Sequence, residues 1–84
     1  MFNKIAVMPT QSFAETKLTT LASRFREEAG KTRAQAARDM KVSQTSIFHA
    51  EESPDQGLTK LRVRMIETYS TFNVIGPVFF LKRK

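Results

Sequence analysis

The chain has 84 residues, no cysteine, and 14 Lys and Arg against 8 Asp and Glu, for a net charge of +6. That length suits one domain with a modest core, which a second copy would enlarge. The missing thiols exclude a disulfide framework and a thiolate metal site. The longest apolar run, residues 74–81, is short and broken by Gly76 and Pro77, so it cannot span a bilayer. The N-terminus shows neither a long apolar core nor a small-residue cleavage pattern, so no signal peptide is expected and the expected location is cytoplasmic.

In chain order, residues 2–8 are mostly apolar and suited to an extended segment, closed by Pro9. Ser12 or Thr16 is expected to cap a first helix, because their hydroxyls accept from first-turn amides. Leu18, Leu21, Ala22, Phe25 and Ala29 then recur at helical spacing, and Gly30 ends the helix. Thr32 caps a second helix whose Ala34, Ala36, Ala37 and Met40 favour helix and permit close approach. Lys41 and Val42 make a turn, and Ser43 caps a third helix with Ile47 and Ala50 inward. Residues 53–57, SPDQG, form a loop. A fourth helix is expected to carry Leu58, Leu61, Met65, Ile66, Tyr69 and Phe72 on one side, broken by Asn73 and Gly76–Pro77. A single C-terminal strand follows within 74–82, its apolar residues Val78, Phe79, Phe80 and Leu81 preceded by Pro77, which fits at a strand's beginning. The division expected is therefore a helical core over 12–72 and a strand over 74–82, within one domain spanning 1–84.

The most informative run is residues 32–51, TRAQAARDMKVSQTSIFHAE. Two short capped helices at a tight turn are the pattern of a helix-turn-helix, which lays its second helix in a DNA major groove. Ala37 is small where the helices would cross, and Val42 and Ile47 are apolar where the second must anchor. Gln44, Thr45, Ser46, Phe48 and His49 are left outside, and His49, one turn on, is placed to reach a base or a phosphate. Gln44 can pair with N6 and N7 of adenine, and Thr45 or Ser46 can bond a base or touch a thymine methyl. Ser43 stands at a helix start that favours phosphate. Lys31, Thr32 and Arg33 are placed to hold phosphates as well. The plain alternative is a solvated polar helix face. Lys31, Arg33, Arg38 and Lys41 against Asp39, and Arg62, Arg64, Lys82, Arg83 and Lys84 against Glu67, give both regions excess positive charge, which suits a polyanion.

Within roughly residues 22–69 these positions resemble the Xre/Cro/cI family of helix-turn-helix regulators. Phe25–Arg26, Gly30, Thr32, Ala37, Val42–Ser43, Ile47 and Glu51 fall where that family has its characteristic residues. The resemblance implies a mainly α, four- to five-helix, lambda-repressor-like domain, and an ion pair of Arg26 with Glu51. It also marks departures. Arg33 replaces a phosphate-touching Gln, Lys41 stands at a usual Gly, and Phe48 stands at a frequent Ser, where it would meet thymine methyls or a partner. A left-handed turn costs Lys about 1 kcal/mol more than Gly. Phe2, Lys4–Ile5 and Pro9–Thr10–Gln11, with Ser53–Pro54–Asp55 and Gly57–Leu58–Thr59, look like HipB-type antitoxins. Those proteins close a dimer with a C-terminal strand, which implies dimerisation through Val78, Phe79, Phe80 and Leu81. The tail that follows the strand in HipB-type proteins is absent from this sequence, which ends at Lys84.

The expectation is a homodimeric repressor of a palindromic double-stranded operator, acting as an autoregulatory antitoxin with a HipA-like kinase toxin as partner. A stand-alone phage-type or housekeeping regulator is the alternative, and a protein-interaction module that neutralises a partner is the second class. Enzymatic activity, a cofactor and a metal are not expected. The lone His49 has no carboxylate cluster in sequence, and Asp39, Glu51 and Glu52 read as helix-surface charges rather than an acid–base pair. The apolar 79–81 run is too sticky for a bare edge. It is expected to pair between subunits, in preference to covering its own core or pairing with residues 5–8.

Overall fold

The computed structural model describes residues 12–13, 15–75 and 79–84. It is mainly helical, with four helices and a small antiparallel sheet among the described residues: β1 (Ser12–Phe13), α1 (Glu15–Glu28), α2 (Arg33–Met40), α3 (Gln44–Glu52), α4 (Thr59–Tyr69), β2 (Phe72–Ile75) and β3 (Phe79–Arg83). The expected extended segment over 2–8 and its pairing with the C-terminus lie outside the described residues. None of the helices described is long and apolar enough to cross a membrane.

The core follows the apolar spacing. Leu18 and Ala22 of α1 are buried with Ala36, Ala37 and Met40 of α2, Ile47 and Ala50 of α3, and Leu61, Met65 and Ile66 of α4. Such i, i+3, i+4 stripes put one face of each helix inward. The alanines of α2 and α3 let these short helices approach closely. Ala29, expected on the α1 stripe, is exposed, because the helix ends before it. Ser12 lies in β1 and Thr16 inside α1, so neither occupies the cap position foreseen for it.

Two of the helix ends repeat one device. Gly30 has φ of 73°, its amide donates to Glu27 O at 3.0 Å, and the Lys31 amide donates to Arg26 O at 3.1 Å. Lys41 takes the same left-handed form at φ 60°, ψ 46°, with its amide on Arg38 O and the Val42 amide on Ala37 O. Both satisfy end carbonyls by the 6→1 and 5→2 bonds of a Schellman closure. Thr32 opens α2 with a full capping box: the Gln35 amide donates to Thr32 Oγ1 at 3.1 Å, and the Thr32 amide to Gln35 Oε1 at 2.8 Å. Ser43 opens α3, its Oγ accepting from the Ser46 amide at 3.1 Å. Lys41, Val42 and Ser43 therefore connect α2 to α3 with both helix ends satisfied.

α4 starts without a side-chain cap at Leu58. It stops at Tyr69, three residues short of the expected Phe72, because Ser70 Oγ turns back to Ile66 O at 2.6 Å and accepts from the Phe72 amide at 3.1 Å. A serine hydroxyl competing for backbone partners ends a helix in this way. Phe72 is then free to lie against Phe25, ring centroids 6.0 Å apart. Tyr69 donates to Asp39 Oδ2 at 2.5 Å, tying α4 to α2. Partial burial, and then that hydrogen bond, push its phenol above the usual range.

The C-terminal segment is a hairpin, not the single strand expected over 74–82. β2 and β3 pair antiparallel, with Val74 opposite Leu81 and Ile75 opposite Phe80, and β1 lies on the far side of β3 with Ser12 opposite Phe80 and Phe13 opposite Phe79. The strand order is β1-β3-β2, so β3 is central at Phe79 and Phe80 and finds its neighbours within the same chain. Val78 and Pro77 lie outside the described residues. Leu81 and Val74 pack half-buried on the helical core. The outer edge of β2 is occupied too, since the Val74 amide donates to Glu67 Oε2 at 3.0 Å and the Phe72 amide to Ser70. Side chains that cap edge amides discourage strand addition.

Candidate nucleic-acid interface

The outward face of α3 begins at its first turn. Gln44 and Thr45 are exposed, Ser46 is half-buried, and Phe48 stands 45% exposed one turn further on. Gln44 and Phe48 are four residues apart, and Thr45 and Phe48 three, so they share a side of the helix. With Arg33 from α2 they line a shallow cavity of about 300 Å³. Ile47, Ala50 and Glu51 point the other way and are buried, which fixes the rotation of the helix.

The inner side of α3 is anchored by ion pairs. Glu51, expected on the surface, is buried; its carboxylate takes Arg26 Nε at 2.5 Å and Nη2 at 3.0 Å, and Arg33 Nε at 2.9 Å. The Arg26–Glu51 pair is the one the resemblance implied. Arg26 also donates to Lys31 O at 2.7 Å, joining α3 to the turn that starts α2. Such a buried carboxylate is tolerable only because it is multiply hydrogen-bonded. Glu52 and Asp39 are exposed, as expected.

Arg33 is differently placed from a free phosphate ligand. Its Nη2 meets Glu52 Oε2 at 2.7 Å in addition to the Glu51 bond, and its guanidinium carbon lies 5.1 Å from the centre of the Phe48 ring. The Glu51 hydrogen bond, opposed by burial and reinforced by Glu52, raises its pKa. A cation–π contact of this partly exposed kind is worth about 0.5–1 kcal/mol. The fork geometry, not mere charge, makes the double engagement possible.

The remaining expected contacts separate by what they already do. The Thr32 and Ser43 hydroxyls are used as caps, and Ser43 Oγ also lies 3.0 Å from Ser46 Oγ. Lys31 is exposed, with no ion pair among the described residues. His49 is half-buried, 3.1 Å from Ser53 Oγ and edge-on to Phe48 with centroids 5.4 Å apart, so it faces the end of α3. Phe79 and Phe80 are in β3, away from α3 in the sequence of elements. No group of three or more His, Asp or Glu among the described residues is arranged to hold a metal.

Three residues of α4 matter in ways the charge count misread or passed over. Arg62 adds nothing to an exposed basic patch: it is fully buried, donating to Ala50 O at 2.9 Å, Ser53 O at 2.7 Å and Gln56 O at 3.0 Å. Arg64 is exposed but donates to Met40 O at 2.8 Å, closing the end of α2. Lys60 is exposed and lines, with Val42, Ser46, Leu58 and Arg64, a second cavity of about 550 Å³ beside the start of α3. Its signal in sequence was only its place in the first turn of α4. No family model, no curated protein and no solved structure matches this chain.

Proposed function

We propose that α2 and α3 act as a helix-turn-helix and that the protein is a sequence-specific DNA-binding repressor, working as a homodimer on a palindromic operator. The observation that carries this reading is the first turn of α3. Gln44 and Thr45 are exposed there, with no side-chain hydrogen bond among the described residues, on a helix whose back is locked by Ile47, Ala50 and the Glu51 ion pairs. A rigid helix with amide and hydroxyl groups at its outer N-terminal end is what reads base edges. Lys31, Lys41 and Lys60 are exposed around that turn and suit phosphate contacts that set register. Dimerisation through the sheet end, with Val78, Phe79, Phe80 and Leu81 as the proposed contact, is supported by the small size of the chain and by exposed Ile75. Because β3 has neighbours within its own chain, such a contact would be made by side chains of the sheet. The finer role, an autoregulatory antitoxin neutralising a kinase-like toxin, rests on the sequence resemblance alone.

The test is a selection of duplexes from a randomised pool, followed by fluorescence anisotropy on the selected duplex, on a scrambled one, and on DNA upstream of the gene. Specific recognition predicts a preference of about a thousandfold or more over the scrambled duplex. Gln44→Ala with Thr45→Ala should cost about 1–3 kcal/mol per lost base contact and relax base preference at one position of each half-site. Equal binding to selected and scrambled duplexes would sink the reading.

A further inference from the structure

We infer that Arg33 is a positioning residue that holds the Phe48 ring, and that Phe48, Gln44 and Thr45 with Arg33 behind them form a subsite for the 5-methyl group of a thymine. This rests on the DNA-binding reading above. Three observations carry it. Two carboxylates share the Arg33 guanidinium, Glu51 at Nε and Glu52 at Nη2, so the charge that a phosphate would meet is already offset. The guanidinium plane lies over Phe48, which has 45% of its surface exposed and meets His49 edge-on on another side. The cavity these four residues line is open to solvent, about 300 Å³, and mixed: an aromatic residue and a threonine beside Gln44 and Arg33.

The chemistry of that lining selects among base edges. A thymine presents a methyl group and one acceptor in the major groove, and adenine presents the donor–acceptor pair that a glutamine amide matches. With Gln44 and Phe48 one turn apart on α3, an adenine at the first and the methyl of a neighbouring thymine at the second would be met together. An exposed phenylalanine gains from burying a methyl and gains nothing from a bare cytosine edge. The carboxylate of Glu52, 51% exposed beside Arg33, disfavours a phosphate at the same place. Arg33 thus acts on the thymine chiefly by holding Phe48 in place.

The test uses the full-length protein and the duplex selected by it. Thymines are replaced one at a time by deoxyuridine, which removes only the methyl. Wild type should lose about fourfold in affinity at one thymine of each half-site, the worth of one buried methyl. Arg33→Lys keeps the charge but loses the fork and the stacking plane, so it should bind the thymine and uridine duplexes equally. Phe48→Ala should do the same, and the double variant should be no worse in this ratio than either single one. If Arg33 instead holds a phosphate, Arg33→Lys keeps the thymine preference and Arg33→Ala lowers the salt slope, and the inference is overturned. Tolerance of uridine at every position by wild type overturns it as well. In the free protein, Arg33 side-chain protons should show an upfield ring-current shift that vanishes in Phe48→Leu; no such shift overturns the clamp without reference to DNA. Failure to select any sequence, with that shift intact, rejects the DNA-binding reading and the thymine subsite with it, while leaving the Arg33–Phe48 contact standing.

Discussion

At the scale of single residues, two helix ends pose one conformational demand and meet it with different side chains. Gly30 and Lys41 both sit in the left-handed region, at φ 73° and φ 60°. Glycine takes that form freely, whereas an L side chain with a Cβ is strained there by about 1–2 kcal/mol. Nothing lies within 4 Å of where a Cβ on Gly30 would stand, so the cost of a side chain there is conformational and not steric. Gly30→Ala should therefore destabilise by about 1 kcal/mol. Lys41→Gly should stabilise by about 0.5–1 kcal/mol, the relief being partly offset by the greater freedom of glycine in the unfolded chain. Urea unfolding followed by circular dichroism measures both. Equal and small effects at the two sites would mean that the turn between α2 and α3 relaxes out of the left-handed form in solution. On the DNA-binding reading proposed above, the exposed Lys41 cation, two residues before the Ser43 cap of α3, would offset that strain by meeting a phosphate.

At the scale of elements, α3 is held less by its own sequence than by what reaches it from elsewhere. Its last turn and the loop after it offer carbonyls to Arg62, which crosses from α4 and is itself fully buried. The cation also faces the negative end of the α3 dipole. Removing it leaves buried acceptors without donors, each costing about 1–3 kcal/mol where water cannot enter. Arg62→Met should destabilise by about 3 kcal/mol. Arg62→Lys should also destabilise, since one ammonium cannot reach three carbonyls in a fixed fork. Thermal unfolding of the two variants decides it, and a loss under about 1 kcal/mol for Met would show that solvent replaces the guanidinium. This contact also marks the limit of sequence reading. Thr32 with Gln35, Gly30 and Ser43 announce their helix ends because the partners lie within five residues. The bonds of Arg62 to Ala50 and of Arg33 to Glu51 span 12 and 18 residues, and in sequence these arginines are indistinguishable from surface charge. The hairpin was legible only in part for a related reason. An apolar run of 74–81 signals strand, but whether it is one strand or two depends on where α4 stops. Ser70 settles that by a bond no periodicity records.

At the scale of the whole molecule, five of the seven arginines hold fixed bonds within the chain, while Arg38 and Arg83 are exposed with no ion pair among the described residues. Arg24 pairs with Glu28, Arg26 and Arg33 share Glu51, and Arg62 and Arg64 serve backbone carbonyls. Lys84 likewise turns inward, onto the carbonyls of Glu67 and Ser70. Lys31, Lys41 and Lys60 are exposed near α3 and have no ion pair among the described residues. The guanidinium fork suits fixed internal bonds, and the ammonium suits a solvated, mobile contact with a polyanion. The net charge of +6 therefore overstates what is available on any one face, and on the DNA-binding reading proposed above the lysines beside α3 are taken as the phosphate contacts. Each phosphate neutralised contributes about 0.9 to the slope of log affinity against log salt concentration. Three lysines in each of two subunits predict a slope of about −5, and three in one subunit a slope of about −3. Lys60→Ala then counts subunits directly: it should reduce the magnitude by about 2 if a dimer occupies the operator and by about 1 if a monomer does. Anisotropy titrations at four or five salt concentrations would read this. An unchanged slope would place Lys60 away from the phosphates and turn its cavity with Val42 and Leu58 toward a protein partner instead.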